Sequence, residues 1–169
     1  LSDADGGARA PLYDVTATDI DGVSFRFGQR YAGKVVLVVN VASHCGFTPQ
    51  YAALQALHAK YAARGFAVVA LPCNEFGAQE PGTSAEIKAF VADKYPGELH
   101  LLEKANVNGA QRHALMRALI DNAPRAELRA DVRWNFEKWL VGADGALVQR
   151  YASDAKPEQQ IDADVARAL

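Results

Sequence analysis

The chain has 169 residues, half of them hydrophobic, and 18 lysines and arginines against 20 aspartates and glutamates. That length suits one domain with a core that needs no covalent staples, and a net charge of −2 leaves no electrostatic footprint for nucleic acid or a membrane surface. Two cysteines, Cys45 and Cys73, are too few for a disulfide scaffold and too far apart for a metal cluster, and no apolar run reaches the ~20 residues of a membrane-spanning helix. Neither a metal nor a cofactor is expected.

Leu1 to Ala10, made of Ser, Asp, Gly and Ala with few other residues, reads as a flexible leader or the remainder of a cleaved signal, ahead of a single domain over residues 11–169. The expected compartment is the cytoplasm, with the periplasm left open because the start of translation is not visible. Tyr13 to Phe27 alternates around Asp21-Gly22 and predicts a β-hairpin. Lys34 to Val41 holds five consecutive apolar residues, the mark of a strand buried on both faces. Thr48 and Pro49 then read as a capping hydroxyl and a first-turn proline for a helix over Pro49–Arg64, ended by Gly65. Phe66 to Leu71 is a second buried strand, parallel to the first. A polar loop, Pro72 to Gly82, leads to a helix opened by the capping box Thr83 and Glu86. Gly109 to Asn122 predicts another helix, Trp134–Val141 and Ala146–Tyr151 a hairpin around Asp144-Gly145, and Pro157–Leu169 an amphipathic closing helix.

This order of elements predicts an α/β sandwich of the thioredoxin type: a central mixed sheet with flanking helices and an N-terminal hairpin. Ligands of such sheets gather at the carboxyl ends of the strands. Cys45 follows one such end and the Pro72–Gly82 loop the next. An antiparallel Trp134 strand would start at that same edge. Cys45 also precedes a helix N-terminus, where free N–H groups and the positive dipole end favour an anion. The thiolate is the reactive form of cysteine.

Three blocks, Asn40-Val-Ala-Ser-His-Cys-Gly-Phe-Thr-Pro-Gln-Tyr51, Leu71-Pro-Cys-Asn-Glu-Phe-Gly-Ala-Gln-Glu-Pro-Gly82 and Trp134-Asn-Phe-Glu-Lys138, resemble the signature blocks of the glutathione peroxidase family. The similarity runs from about Tyr13 to Tyr151. It implies a thiol-dependent peroxidase that reduces hydrogen peroxide and organic, including lipid, hydroperoxides. Carried over by position, Cys45 is the peroxide-reducing residue, with Gln79, Trp134 and Asn135 completing the site. The chemistry fits: a thiolate attacks the peroxide oxygen and becomes a sulfenic acid. Amide and indole N–H donors then stabilise charge moving onto the leaving oxygen. Gly46 is expected to let backbone approach the sulfur, His44 to be an exposed neighbour, and Phe47 and Phe76 to form an apolar rim. Glu75 stands where the family commonly has glutamine, and a carboxylate aimed at the thiolate would oppose its charge.

Thioredoxin-dependent relatives carry a resolving cysteine on the helix after the second block, where this chain has Ala92. Two routes for regeneration remain. An external thiol, glutathione or thioredoxin, attacks the sulfenic acid, or Cys73 acts as a secondary redox residue within the chain. The first is preferred, since Cys73 reads as a buried structural thiol. Pro124 to Arg133 holds no insertion of the kind tetrameric relatives use, so a monomer is expected. A peroxide sensor that oxidises a partner protein is the competing reading. A general disulfide oxidoreductase is disfavoured, because the position three after Cys45 is Thr48.

Overall fold

The structure is a computed structural model that describes residues 10–169. All but the last residue of the expected leader lies outside them. Pro11–Asp14 forms a 3-10 turn, after which Thr16–Thr18 (β1) and Ser24–Arg26 (β2) make the antiparallel hairpin. The hairpin is narrower than the alternation suggests. Phe27 already opens a short helix, Phe27–Tyr31 (α1), seated on the first turn. Val35–Val41 (β3) is buried at every position, as a two-sided strand must be. Gln50–Tyr61 (α2) follows, then a tighter turn, Ala62–Arg64, closed by Gly65 at φ 87°. Only glycine adopts that left-handed conformation at no steric cost.

Phe66–Pro72 (β4) pairs parallel with β3, from Val35 opposite Phe66 to Val41 opposite Pro72. Ser84–Lys94 (α3) begins at the expected box: Thr83 accepts from the Glu86 N–H and Glu86 reaches back to the Thr83 N–H. His100–Leu101 (β5) is an edge strand of two residues, too short to leave a periodic signal. Ala114–Asp121 (α4) starts five residues later than Gly109, which sits at φ 74° in a turn; the His113 ring nitrogen accepts the Leu115 N–H and caps the helix. Lys138–Val141 (β6) and Leu147–Tyr151 (β7) form the second hairpin. The first strand of that hairpin begins at Lys138, not Trp134, because Phe136 turns the backbone at φ 64°. The closing segment is not one helix. A wide turn, Pro157–Ile161, breaks at Gln159 before Asp162–Ala168 (α5).

The sheet order is β5-β4-β3-β6-β7, with β6 antiparallel to β3. Alternate residues divide the core between two faces. Val36, Val38, Val69 and Leu71 pack with Leu115 and Leu119 of α4. Leu37, Val39, Val68 and Ala70 pack with Leu54 and Leu57 of α2 and Val165 of α5. Among the described residues no helix is long and apolar enough to cross a membrane.

Candidate active site

Cys45 lies in the turn between β3 and α2 and is buried. The Thr48 hydroxyl accepts the Cys45 N–H at 2.9 Å and donates to the Ala42 carbonyl at 2.8 Å. Thr48 therefore braces the cysteine turn rather than capping α2, whose N-cap position is Pro49. Successive turn bonds, Thr48 N–H to Cys45 O and Gln50 N–H to Phe47 O, carry the chain into the helix. Within that run the Phe47 N–H donates to Cys45 Sγ at 3.4 Å. Gly46 is not needed for a close approach, since a Cβ there would meet nothing within 4 Å.

The other two blocks meet this turn. The His44 N–H donates to the Gln79 carbonyl at 3.1 Å, and the Ser43 N–H and hydroxyl both donate to Glu80 Oε1. Burial pushes the Glu80 carboxyl up, while its bonds from Ser43 pull the other way. Lys104 holds the same loop by donating to the Glu80 and Gly82 carbonyls. Asn135, fully buried, donates from Nδ2 to the Phe76 carbonyl and, at 2.9 Å, to Gln79 Oε1. A backbone carbonyl can only accept, which fixes the orientation of the Asn135 amide. Gln79 must then present its oxygen to Asn135, and its own NH₂ is left for another acceptor. Trp134 is 36% exposed and lies against Phe76, ring centres 5.9 Å apart. A Cβ at Gly77 (φ 65°) would stand 3.2 Å from the Trp134 ring and 3.4 Å from Gln79. Ala78 (φ 51°) and Phe136 (φ 64°) are the non-glycine residues at positive φ among the described residues. They flank Gln79 and Asn135, where such conformations tend to concentrate.

The structure thus ties Gln79, Trp134 and Asn135 into one cluster and joins it to the Cys45 turn through backbone. Among the described residues none of the three side chains bonds to Sγ directly. Other candidates go elsewhere. Cys73 is fully buried in the α4-side core, whereas Cys45 packs on the α2 side. Burial pushes the Cys73 thiol up to about 12, and both cysteines are free. The Glu75 carboxylate accepts from the Val107 and Asn108 N–H groups and the Cys73 thiol, so it neighbours Cys73 and not Cys45. His44 is exposed, its ring 6.2 Å from that of Phe90.

A family model described as glutathione peroxidase matches residues 12–120. The chain belongs to the glutathione peroxidase family. It is 43% identical over 167 residues to the hydroperoxy fatty acid reductase gpx1 of Synechocystis sp., covering 96% of this chain and 98% of that protein. Over 162 residues it is 41% identical to the thioredoxin/glutathione peroxidase BtuE of Escherichia coli, covering 85% and 88%. The crystal structure of Trgpx in apo form superposes with a TM-score of 0.75 at 34% identity over 96% of each chain. A thioredoxin family protein from Chlorobium tepidum, 17% identical with a TM-score of 0.68 over 96% of this chain and 97% of that one, shares the fold. The chain is accordingly a thiol-dependent peroxidase on a thioredoxin-like fold.

Three residues of this glutathione peroxidase that support the cluster are easy to pass over in the sequence. Asn40, a polar residue inside an apolar strand, donates to the Trp134 carbonyl at 2.9 Å and accepts the Phe136 N–H at 2.6 Å through its own carbonyl. Ser43 and Glu80 form the clamp described above. Asn40 carried a legible signal, since a buried polar side chain in a central strand needs a specific partner.

Proposed function

We propose that Cys45 is the peroxide-reducing nucleophile and that Gln79, Trp134 and Asn135 supply the polar surroundings of the reaction. The observation that carries this reading is the meeting of three segments distant in sequence at one sheet edge, joined by the His44–Gln79 and Gln79–Asn135 bonds. The Cys45 thiolate attacks the terminal oxygen of ROOH. An S–O bond forms and the O–O bond breaks. Sulfur is oxidised by two electrons to the sulfenic acid, and the alkoxide leaves and takes a proton to become ROH. The Gln79 NH₂, freed by its bond to Asn135, and the Trp134 indole N–H are the donors for charge on that leaving oxygen.

An external thiol then attacks the sulfenic acid, releasing water and forming a mixed disulfide, which a second thiol cleaves. Glutathione and thioredoxin are the proposed donors; both words appear in the name of the Escherichia coli relative. The burial of Cys73 on the opposite sheet face supports an external resolver. Organic hydroperoxides, fatty-acid hydroperoxides among them, are the proposed substrates beside hydrogen peroxide, in line with the name of the Synechocystis relative. Residues 11–169 act as one domain and as a monomer.

The experiment is hydroperoxide consumption by the wild type and Cys45→Ser with glutathione, and separately with thioredoxin and its reductase. Consumption above background should vanish in the variant. Unchanged consumption would overturn the assignment.

A further inference from the structure

Lys138 opens β6 with no exposed surface and has no part in the steps above. Its Nζ donates to three carbonyl oxygens of the segment after β7: Ala155 at 2.7 Å, Ser153 at 2.9 Å and Ala152 at 3.5 Å. An ammonium carries three donors and no acceptor, so donors and acceptors match in number. Burial pushes Lys138 down to about 8 against the opposing pull of Asp154, Glu137 and Glu158, which leaves it mostly charged at neutral pH. A buried charge is kept only where something compensates it, and here the compensation is loop backbone. Gln50, the first residue of α2, holds the same loop by donating from Nε2 to the Ser153 carbonyl at 2.8 Å.

That loop continues into Lys156, Pro157 and Glu158, one wall of a groove of about 380 Å³. Gly46, Phe47, Pro49 and Ala53 form the facing wall. The groove thus begins at the two residues that follow Cys45, and Phe47 is also the donor to the sulfur. Its volume lies in the ~300–1,000 Å³ range of small-molecule sites. Phe47, Pro49, Ala53 and Pro157 give it apolar surface, with the charged Asp154, Lys156 and Glu158 along the loop side.

We propose that Lys138 is a positioning residue for substrate selectivity: it fixes the 152–158 wall of this groove, and the groove holds the apolar organic part of a hydroperoxide whose O–O bond lies at Cys45. Hydrogen peroxide has no such part and gains nothing from the groove. The inference rests on the reading of Cys45 as the nucleophile.

The test compares second-order rate constants for hydrogen peroxide and cumene hydroperoxide in the wild type, Lys138→Met and Ala53→Phe. Lys138→Met should lower the cumene hydroperoxide constant about tenfold, the scale of a lost apolar contact, and leave the hydrogen peroxide constant within about twofold. Ala53→Phe fills the groove from α2 without touching Lys138 and should give the same selective loss, so the groove stays testable even if Lys138→Met does not fold. Equal losses with both peroxides in Lys138→Met, or an unchanged ratio in Ala53→Phe, overturns the proposal. A wild type that reduces neither peroxide sinks the assignment of Cys45 and this inference with it, an outcome distinct from loss of selectivity alone.

Discussion

Gln79 serves the site through two atoms with different duties. Its backbone carbonyl accepts the His44 N–H and its Oε1 accepts from Asn135, so its Nε2 is the group left to meet a reacting oxygen. Gln79→Ala removes that donor and should lower the rate constant by ~10²–10³ with hydrogen peroxide and cumene hydroperoxide alike, the usual loss for one preorganised donor. A loss below about threefold would remove Gln79 from the chemistry. The fates of the other singled-out residues were unevenly legible. Val69, Leu71 and Cys73 share one sheet face and Val68 and Ala70 the other, so strand alternation is the signal in the sequence that could have set Cys73 away from the α2 face. Glu75 was not legible, because the backbone groups that hold it belong to Val107 and Asn108, more than thirty residues on.

Elements with strong local signals were readable, and those set by distant contacts were not. The buried runs of β3 and β4, the capping box of α3 and the left-handed Gly65 each carry their cause within a few residues. The start of β6 does not. Phe136 takes positive φ where Asn40 holds the turn from the neighbouring strand, its carbonyl accepting the Phe136 N–H and its own N–H donating to the Glu137 carbonyl. The packing of α2 on β4 also makes a prediction. His58 Nδ1 accepts the Val68 N–H at 3.0 Å, which only the unprotonated ring nitrogen can do, and burial lowers the His58 pKa from 6.5. A group whose folded pKa is depressed and whose acid form is charged resists protonation in the fold. Its contribution is therefore complete above the unfolded value near 6.5 and is lost as pH falls below it. His100 and His113, lowered by burial, act in the same direction. The urea midpoint should fall between pH 7 and pH 5, with a shallower fall in His58→Gln. An equally steep fall in the variant would contradict the bond, a comparison in which the opposing contribution of Glu80, raised by burial, cancels.

At the scale of the molecule, one buried ion pair ties the third block to β7, the neighbouring strand of the same hairpin. Arg150 on β7 pairs with Glu137 at 3.0 Å, their side chains 8% and 4% exposed, and also donates to the Leu128 and Asp131 carbonyls. Glu137 accepts the Arg133 N–H, so the segment leading into Trp134 is moored to the sheet. Arg150→Ala would strand a buried carboxylate and should cost about 3–5 kcal/mol in urea unfolding. A cost under about 1 kcal/mol would show that the pair does not hold this region. The thioredoxin-like sandwich itself was legible, since the order strand, helix, strand and late hairpin admits few topologies. What the chain order could not give was the clamp of Ser43 on Glu80 and the mooring of the Trp134 turn, which join residues far apart in sequence.

The most direct measurement is an intact-protein mass spectrum of the fully reduced chain after one equivalent of hydroperoxide, with a sulfenic-acid trap and no reductant. The trap should be found on Cys45, with Cys73 unmodified. Loss of two hydrogens mapped to a Cys45–Cys73 disulfide would contradict the external-thiol cycle, and no rapid change at Cys45 would contradict its role as nucleophile.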